Sequence, residues 1–296
     1  AGCTPKTENI GEALTQTSNT EKYPLELTDG AGNKVTIDKK PERIISAAPS
    51  NTEILFGLGL GDKVVGVTSY CDYPIEAKSK PQIGDLFTPN VEKIIELQPD
   101  IVINSWSIND EMKKQLEEAG IKVVTYAPES ISQVIDAIEK IGNLTDSDSE
   151  AKKIVEEMKR KQNEIVEKVK DVEKTKVFYE IEYSSALWTA GADSFIDELI
   201  TLSGGENIAK DAKGSYSEYS VEALIEKNPD IYISNTFNAA LKDISDVKMR
   251  PGYENIAAIK NNKVEILDGN ILSRPSQRVV EALELMAKAI HPEIFK

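Results

Sequence analysis

"VEKIIELQPDIVI" at residues 91–103 and "VEALIEKNPDIYI" at residues 221–233 are two copies of one short unit. Eight of the 13 positions are identical, and the second copy begins 130 residues after the first. In each copy a good N-cap residue, Asn90 or Ser220, precedes a helical stretch, and a proline separates that stretch from an apolar, strand-like run. The repeat therefore predicts one helix-strand unit in each of two similar lobes.

Strand-like and helical patterns alternate in both halves of the chain. The short β-branched runs "RIISAA", "KVVGV", "DIVIN" and "KVVTYA" are separated by helical stretches, and the alternation restarts at Lys176 with "KVFYEIEY". Such alternation is typical of parallel βα units. We predict an α/β fold of two Rossmann-like lobes with central, mostly parallel sheets. Ligands bind such sheets outside the carboxyl ends of the strands, so the ligand cleft is expected between the lobes.

A single long helix is predicted between the two lobes. Residues 147–174 contain no Gly or Pro, their apolar residues recur at helical spacing, and Ser147 with Glu150 has the spacing of a capping box. A continuous helix at this point predicts only small lobe movements on ligand binding. The predicted organisation is a lipid-anchor cysteine with a disordered tether (1–22), an N-terminal lobe (23–145), a connecting helix (146–174) and a C-terminal lobe (175–296).

The composition disfavours several classes of function. The chain of 296 residues has a formal net charge of −15, whereas phosphate recognition in nucleic acids needs clustered Lys and Arg. Motifs of serine hydrolases and P-loop ATPases are missing, and the single histidine, His291, is expected to be structural. One histidine and two distant cysteines predict no metal site. We predict a protein that is not an enzyme and has no cofactor; an enzyme in this cleft would need Asp72, Asp85 or Glu182 as its acid or base.

The first residues predict a membrane anchor. "AGC" places Cys3 after two small residues, and a long polar segment follows it. Such a segment cannot bury enough apolar area to fold, so it is expected to be a tether. The small residues before Cys3 resemble the end of a bacterial lipoprotein signal, which implies that Cys3 is lipidated and holds an extracytoplasmic protein on the cell membrane. A free cysteine in a flexible terminus is the alternative, and Cys71 is interpreted as a bystander.

Aromatic residues are concentrated at predicted strand ends and loops. Half of the 18 aromatic side chains fall there: Tyr70, Tyr73, Phe87, Trp106, Tyr183, Trp188, Tyr216, Tyr219 and Phe237. They suit a large, partly apolar ligand that is held by stacking and burial, although several could instead pack on their own lobes. Arginine is scarce, with five residues in the chain, which disfavours a tightly bound polyanion.

These features together resemble the substrate-binding proteins of ABC importers for cobalamin, ferric siderophores and haem, whose two lobes are joined by one long helix. The resemblance covers roughly residues 25–296 and is carried by "DGAGNKVTIDKKPERIISAAPSNTEILFGLGLGDKVVGV", while "TSYCDYP" and "NVEKIIELQPDIVI" are closest to the cobalamin-binding branch. It implies that Glu92 and Glu222, the matched acids of the repeat, dock onto arginines of the two permease subunits. The helix macrodipole alone would also favour a glutamate at each position.

The resemblance and the strand-end aromatics together predict the ligand contacts. Trp188 and Tyr216 stand at or near aromatic positions of the family, whereas Leu86 or Phe87 takes the place of a family Trp. Asn270 replaces an expected acid in the last cleft loop, and Arg274 matches a basic residue there. The predicted contacts are Tyr70, Phe87, Trp106, Tyr183, Trp188, Tyr216, Asn270 and Arg274.

The predicted function is the capture of a corrinoid by an extracytoplasmic lipoprotein that delivers it to an ABC permease dimer. The protein is expected to act as a monomer and to bind no nucleic acid. The alternative within the family is a ferric siderophore or haem carrier, with Arg250 and Arg274 on anionic groups or a tyrosine on iron. A sensory lipoprotein that docks on a receptor is a further alternative.

Overall fold

The computed structural model describes Gly2 and residues 22–296. The predicted lipidation of Cys3 lies outside the described residues, as does the predicted tether apart from Gly2 and Lys22. The strands of the first half are β1 (Leu25–Thr28), β2 (Lys34–Ile37), β3 (Ile44–Ser46), β4 (Val64–Val67), β5 (Ile101–Asn104) and β6 (Lys122–Thr125). Its helices are α1 (Pro49–Gly57), α2 (Val91–Glu96), α3 (Asp110–Glu118) and α4 (Ile131–Leu144).

The sheet of the first lobe is parallel throughout. Its strand order is β4-β3-β5-β6, so β3 and β5 lie in its middle. Every residue of β3 and β5 is buried, as is usual where helices cover both faces of a parallel sheet. Strands β1 and β2 form an antiparallel hairpin that contacts β6, with Leu25 opposite Ile37.

The second half begins with a long helix, α5 (Asp148–Val169), and then forms a second sheet. Its strands are β7 (Thr175–Tyr183), β8 (Leu187–Ala190), β9 (Gly205–Asn207), β10 (Tyr216–Glu218), β11 (Ile231–Asn235) and β12 (Val264–Leu267). Its further helices are α6 (Phe195–Leu202), α7 (Val221–Lys227), α8 (Ile244–Lys248), α9 (Ala257–Lys260), α10 (Gly269–Ser273) and α11 (Val279–Ile290). Short 3-10 turns lie at Gly61–Lys63, Ile75–Ser79 and Tyr253–Asn255.

The second sheet is mixed, with the strand order β10-β8-β7-β11-β12. Strand β7 is parallel to β11 and antiparallel to β8, and β9 pairs in parallel with the first residues of β7. Strand β8 pairs with the last residues of β7, and β10 pairs with β8. Both pairs are antiparallel, and they place Trp188 and Tyr216 on neighbouring strands. The predicted α/β fold of two lobes with mostly parallel sheets is confirmed.

Helix α5 is uninterrupted over 22 residues, which corresponds to a length of about 33 Å. It packs against α4 and α11. Gly142 of α4 permits the close contact with α5, because a Cβ at this position would lie 2.5 Å from the Cβ of Ala151. The helix is shorter than the predicted 146–174, and the predicted domain limits stay a prediction.

The predicted capping box of Ser147 and Glu150 is wrong. Ser147 is the N-cap residue of α5, but its side chain makes no cap hydrogen bond. The turn from α4 into α5 is tight: Asp146 has φ +59°, and the Ser147 N–H donates to the Gly142 carbonyl oxygen at 2.7 Å. Ser147 consequently has φ −124° and ψ 35°, outside the extended conformation that directs an N-cap side chain at the helix.

One apolar core runs through both lobes. Ile103 of β5 and Val124 of β6 belong to the same buried cluster as Val177 of β7 and Ile233 of β11. Buried residues of α4, α5 and α11 connect the two sides. The lobes are therefore joined by closely packed helices as well as by the chain itself, which limits their relative movement.

A buried ion cluster also joins the lobes. The buried Glu53 carboxylate of α1 accepts hydrogen bonds from Arg274 at 3.3 Å and Arg278 at 3.4 Å, and the Ser276 hydroxyl donates to it at 2.5 Å. Arg274 also donates to Asp72 at 2.6 Å. Burial raises the pKa of Glu53, and the Ser276 hydroxyl and the two guanidinium groups oppose this effect. We call these residues, Glu53, Asp72, Arg274, Ser276 and Arg278, the interlobe cluster.

A second polar contact crosses between the lobes at the start of α4. The Glu198 carboxylate of α6 accepts a hydrogen bond from the Ile131 N–H at 2.9 Å. Burial raises the pKa of Glu198, and this hydrogen bond opposes it. A carboxylate at this position also interacts favourably with the macrodipole of α4, so the second lobe caps a helix of the first.

Removing the Glu53 carboxylate is expected to destabilise the fold strongly. Glu53→Ala would leave Arg274 and Arg278 without their shared buried partner, at a cost of about 3–5 kcal/mol in the free energy of unfolding. Glu53→Gln keeps the shape and one acceptor oxygen, so a smaller loss is expected. Chemical denaturation measures both differences. A loss below about 1 kcal/mol for Glu53→Ala, as is usual for exposed ion pairs, would show that the cluster does not hold the lobes together.

Candidate functional site

A cavity of about 750 Å³ opens between the lobes. Most of its wall comes from the second lobe, from β7, β8, β10, the start of α6, the end of β11, α10 and the loops beside them, and the first lobe contributes Pro128 and Glu129 from the loop after β6. The volume lies within the range of small-molecule and cofactor sites, about 300–1,000 Å³. Its aromatic wall residues are Tyr179, Trp188, Phe195, Tyr216 and Phe237.

Trp188 and Tyr216 share one face of the second sheet because β8 pairs with β10. Tyr216 lies opposite Ala190, two residues along β8 from Trp188. Residues two apart on a strand, and residues directly opposite on antiparallel strands, point to the same face. Partial burial raises the pKa of Tyr216, and the nearby Glu129 adds to this. The Tyr216 hydroxyl therefore stays protonated at neutral pH and is a hydrogen-bond donor.

Phe237 is held in the wall by the residue that ends β11. The Asn235 amide nitrogen donates to the Ile181 carbonyl oxygen at 3.1 Å, and its amide oxygen accepts from the Phe237 N–H at 2.9 Å. Gly269 lies under the Phe237 ring, where a Cβ would come within 2.7 Å of a ring carbon. Phe237 is 57% exposed, so its position depends on these backbone contacts and on the packing of its ring over Gly269.

The first lobe presents three exposed aromatic rings at the carboxyl ends of its strands. Tyr70 and Phe87 lie in the loop after β4, and Trp106 follows β5. The ring centroids of Tyr70 and Phe87 are 6.2 Å apart, and those of Phe87 and Trp106 are 5.4 Å apart. Each ring is at least half exposed. We call Tyr70, Phe87 and Trp106 the aromatic trio; clustered exposed apolar side chains of this kind mark interaction sites.

Tyr183 and Arg250 lie together, away from the cavity wall. The Arg250 guanidinium stands 4.6 Å from the centroid of the Tyr183 ring. It is paired with the buried Glu180 carboxylate, at 2.9 Å for one of the two contacts. A ligand contact of Tyr183 stays a prediction, while the Arg250 charge is compensated within the lobe.

Asn270 and Arg274 also lie beside the cavity and not in its wall. Arg274 donates to the Asn270 side-chain oxygen, and its other contacts are with the interlobe cluster and the Tyr70 carbonyl oxygen. The sequence pattern places Arg274 in the last cleft loop but does not reveal Glu53 as its partner. Ligand contacts of Asn270 and Arg274 stay predictions.

The sequence analysis missed most of the wall residues, among them Pro128, Glu129, Asp193, Phe195 and Asn235. Two of them had a usable signal, since Asn235 ends the strand of the second repeat copy and Phe195 begins a helix directly after the N-cap Ser194. Pro128 and Glu129 reach the cavity only through the packing of one lobe against the other. Glu182, named above only as a candidate acid or base, lines the cavity.

Glu92 and Glu222 occupy equivalent exposed positions in the first turns of α2 and α7. The N-cap side chains Asn90 and Ser220 accept hydrogen bonds from backbone N–H groups of these helices, at 2.9 Å and 3.2 Å. The Ser220 hydroxyl also donates to Glu222 at 2.8 Å and lowers the pKa of that carboxyl. Both carboxylates are therefore presented at helix starts, which in parallel βα units lie at the carboxyl edge of the sheet.

Other chemistry-bearing groups are isolated from the cavity. Within residues 22–296, no three His, Cys, Asp or Glu side chains come together as a metal site would require. Cys71 is buried against Thr52 and Thr68, and burial raises the pKa of its thiol. No helix in the described part of the chain is long and apolar enough to cross a membrane.

Comparison with known proteins gives consistent matches. Residues 44–271 match the periplasmic binding protein family. An uncharacterized ABC transporter substrate-binding lipoprotein of Bacillus subtilis is 37% identical over 284 residues, covering 94% of this chain and 88% of that protein. A cobalamin-binding protein of Halobacterium salinarum is 28% identical over 278 residues, covering 91% of this chain and 74% of that protein. The crystal structure of a possible iron-binding, periplasmic solute-binding protein of Staphylococcus epidermidis matches with a TM-score of 0.76 at 36% identity, covering 86% of this chain and 100% of that one.

The family match covers most of the parts of the chain that build the cleft. Residues 44–271 include both copies of the repeated unit, helix α5 and all the aromatic residues described above. The fold, the cavity between two lobes and the similarity over most of the chain agree. The chain therefore belongs to the periplasmic binding protein family, among the substrate-binding proteins of ABC transporters.

Proposed function

We propose that the protein captures a corrinoid outside the cytoplasm, held to the membrane by a lipid on Cys3, and delivers it to an ABC permease. One observation carries the choice of ligand. Exposed aromatic residues of the second lobe, Tyr216 and Phe237, line a cavity whose wall, among the described residues, contains no Lys, Arg or His, and the exposed aromatic trio lies at the strand ends of the first lobe. A corrin ring is a large macrocycle that carries neutral amides on its rim, so it needs stacking surfaces and hydrogen-bonding groups and no cationic clamp.

The affinity for such a ligand would come from buried apolar area. Burying about 800 Å² of apolar surface at about 25 cal/mol per Å² contributes about 20 kcal/mol, which offsets an association cost of about 4–15 kcal/mol. Trp188 and Tyr216 would face one side of the ligand, and the aromatic trio would face the other. The similarity to a cobalamin-binding protein of Halobacterium salinarum supports this ligand class.

A ferric siderophore or haem is the second candidate ligand. The similarity to a possible iron-binding protein of Staphylococcus epidermidis favours it. An anionic chelate or the propionates of haem would call for cationic side chains. The two arginines named for that role, Arg250 and Arg274, are each paired with a buried glutamate, so their charges are already compensated.

The cleft is proposed to bind its ligand without chemistry. Asp72 is paired with Arg274 at 2.6 Å. The Asp85 carboxylate accepts hydrogen bonds from the N–H groups of Thr88 and Phe87, which lower the pKa of Asp85 and make it a poor base. Glu182 is the remaining candidate and is exposed at the cavity wall. A solute-binding role is also that of the family.

Glu92 and Glu222 are proposed to dock the loaded protein on the two permease subunits. They stand at equivalent positions of a repeated unit, one in each lobe, and both are exposed. A transporter built from two related subunits offers two equivalent surfaces, and charge-assisted contacts between carboxylates and arginines are strong and directional. The protein is proposed to act as a monomer in this complex.

The ligand proposal predicts saturable one-to-one binding of cyanocobalamin at micromolar or tighter affinity. Trp106 and Trp188 are the only tryptophans in the chain, so a bound corrinoid should quench both. Trp188→Ala is expected to weaken binding about tenfold, since loss of an aromatic contact costs about 0.5–1.5 kcal/mol beyond the buried area. Calorimetry gives the affinities, and Trp106 remains as a fluorescent reporter in the variant.

A matched control for this titration is Met249→Ala, which removes an exposed apolar side chain outside the cavity wall. Its affinity should equal that of the wild type. Failure of cyanocobalamin to bind, with saturable binding of haem or a ferric siderophore, would replace the proposed ligand by the second candidate.

The docking proposal predicts that charge reversal at the repeated glutamates blocks delivery but not capture. Glu92→Lys and Glu222→Lys together should reduce ligand uptake by the permease in proteoliposomes at least tenfold, because two attractive contacts become repulsive. Ligand affinity of the double variant in solution should be unchanged. Both quantities are measured on the same preparation.

The repeat itself supplies a matched control for the docking experiment. Glu96 and Glu226 are also equivalent exposed glutamates, one turn further along α2 and α7. Glu96→Lys with Glu226→Lys changes the net charge by the same amount and should retain uptake. Equal loss of uptake in the two double variants would show that overall charge, and not these two positions, governs docking.

A further inference from the structure

We propose that the cleft selects its ligand by charge, favouring a cationic corrinoid over a neutral or anionic one through the carboxylates of Glu129, Glu182 and Asp193. This inference rests on the proposed function and adds a specificity to it. All three side chains lie in the cavity wall and are exposed. They are the charged residues of that wall, and all are negative. We call them the wall carboxylates.

The wall carboxylates are placed by three different elements. Glu182 lies directly opposite Trp188 in the pairing of β7 with β8, so its carboxylate is on the same face as the indole ring. Asp193 precedes α6 and has φ +62°. Glu129 comes from the other lobe and is close enough to Tyr216 to contribute to the rise of the pKa of that hydroxyl. The negative charge therefore surrounds the aromatic surface from both lobes.

Glu218 adds a further negative charge next to Trp188. It pairs with Trp188 on the side away from Glu182, so it shares the face that carries the indole ring. Arg274 and Arg250 are not free to compensate this charge, because Arg274 is paired with Glu53 and Asp72 and Arg250 is paired with Glu180. A cation in the cavity would meet several carboxylates and no competing basic wall residue.

The expected size of the effect follows from screened Coulomb interactions. Exposed carboxylates act through a medium close to water, where one pair of unit charges about 4 Å apart is worth about 1 kcal/mol and larger separations less. Three such groups are expected to favour a singly charged cation about threefold to tenfold over its neutral counterpart at low salt. Since the Debye length shortens from about 30 Å at 0.01 M to about 8 Å at 0.15 M ionic strength, the preference should shrink as salt is added.

Two corrinoids that differ in one axial ligand form the test pair. Cyanocobalamin is neutral, whereas aquacobalamin, with water in place of cyanide, carries one positive charge in slightly acidic buffer. The axial water exchanges for thiols, so all proteins in the experiment carry Cys3→Ser, and the protein with this change alone is called the wild type here; Cys71 is buried. Affinities for both ligands are measured by calorimetry in the wild-type background at low and at higher ionic strength.

The variant for the test neutralises the wall carboxylates through Glu129→Gln, Glu182→Gln and Asp193→Asn. Asparagine tolerates the left-handed conformation of residue 193, so the backbone should be retained. The control neutralises three exposed glutamates outside the cavity wall with Glu118→Gln, Glu156→Gln and Glu167→Gln. The wild type and the control should prefer aquacobalamin about threefold to tenfold, and the wall variant less than about twofold.

Each outcome separates the inference from the function on which it rests. Equal affinity of the wild type for the two corrinoids would overturn charge selection and leave corrinoid capture intact. A preference that survives in the wall variant, or that disappears equally in the control, would also overturn it. If neither corrinoid binds, the proposed function fails, and the inference fails with it.

Discussion

The burial of Glu53 between arginines from the far end of the chain is the interaction on which the cleft depends. Glu53 belongs to the first lobe, and its partner Arg274 is 221 residues further along the chain. A carboxylate in this position is costly unless it stays paired, so the contact favours one arrangement of the lobes. The apolar core through α4, α5 and α11 adds to the same constraint. The aromatic surfaces of the two lobes thereby keep a defined separation before any ligand arrives.

In a preformed cleft, little of the interaction energy with the ligand is used to order the protein. In a protein whose lobes close around the ligand, part of the interaction energy is used to order the closed state. Here the separation is set by the interlobe cluster and by the rod-like α5, so the aromatic rings and wall carboxylates can act on a ligand directly. Recognition by the permease then depends on Glu92 and Glu222 at fixed positions on the two lobes. Capture and docking are thus proposed to use different residues of one rigid frame.

The repeated helix-strand unit was sufficient to predict the two-lobed α/β fold from the sequence, because hydrophobic periodicity, capping residues and prolines are local signals. Trp188 and Tyr216 were predicted as ligand contacts from the family resemblance together with their positions at predicted strand ends and loops, and they lie in the cavity wall. The use of Arg274 between the lobes could not be predicted, because its partner Glu53 is near only after both lobes have folded. The capping box at Ser147 failed for a related reason, since the tight turn after α4 overrides the local preference of the sequence.

The most direct test of this account is a pair of crystal structures, of the protein without ligand and of the protein with bound cyanocobalamin. The account predicts that the corrin ring lies between Trp188 and Tyr216 on one side and the aromatic trio on the other. It also predicts that the contact of Glu53 with Arg274 is kept and that the lobes rotate by no more than a few degrees. A closure of tens of degrees, or a ligand bound away from these aromatic residues, would contradict it.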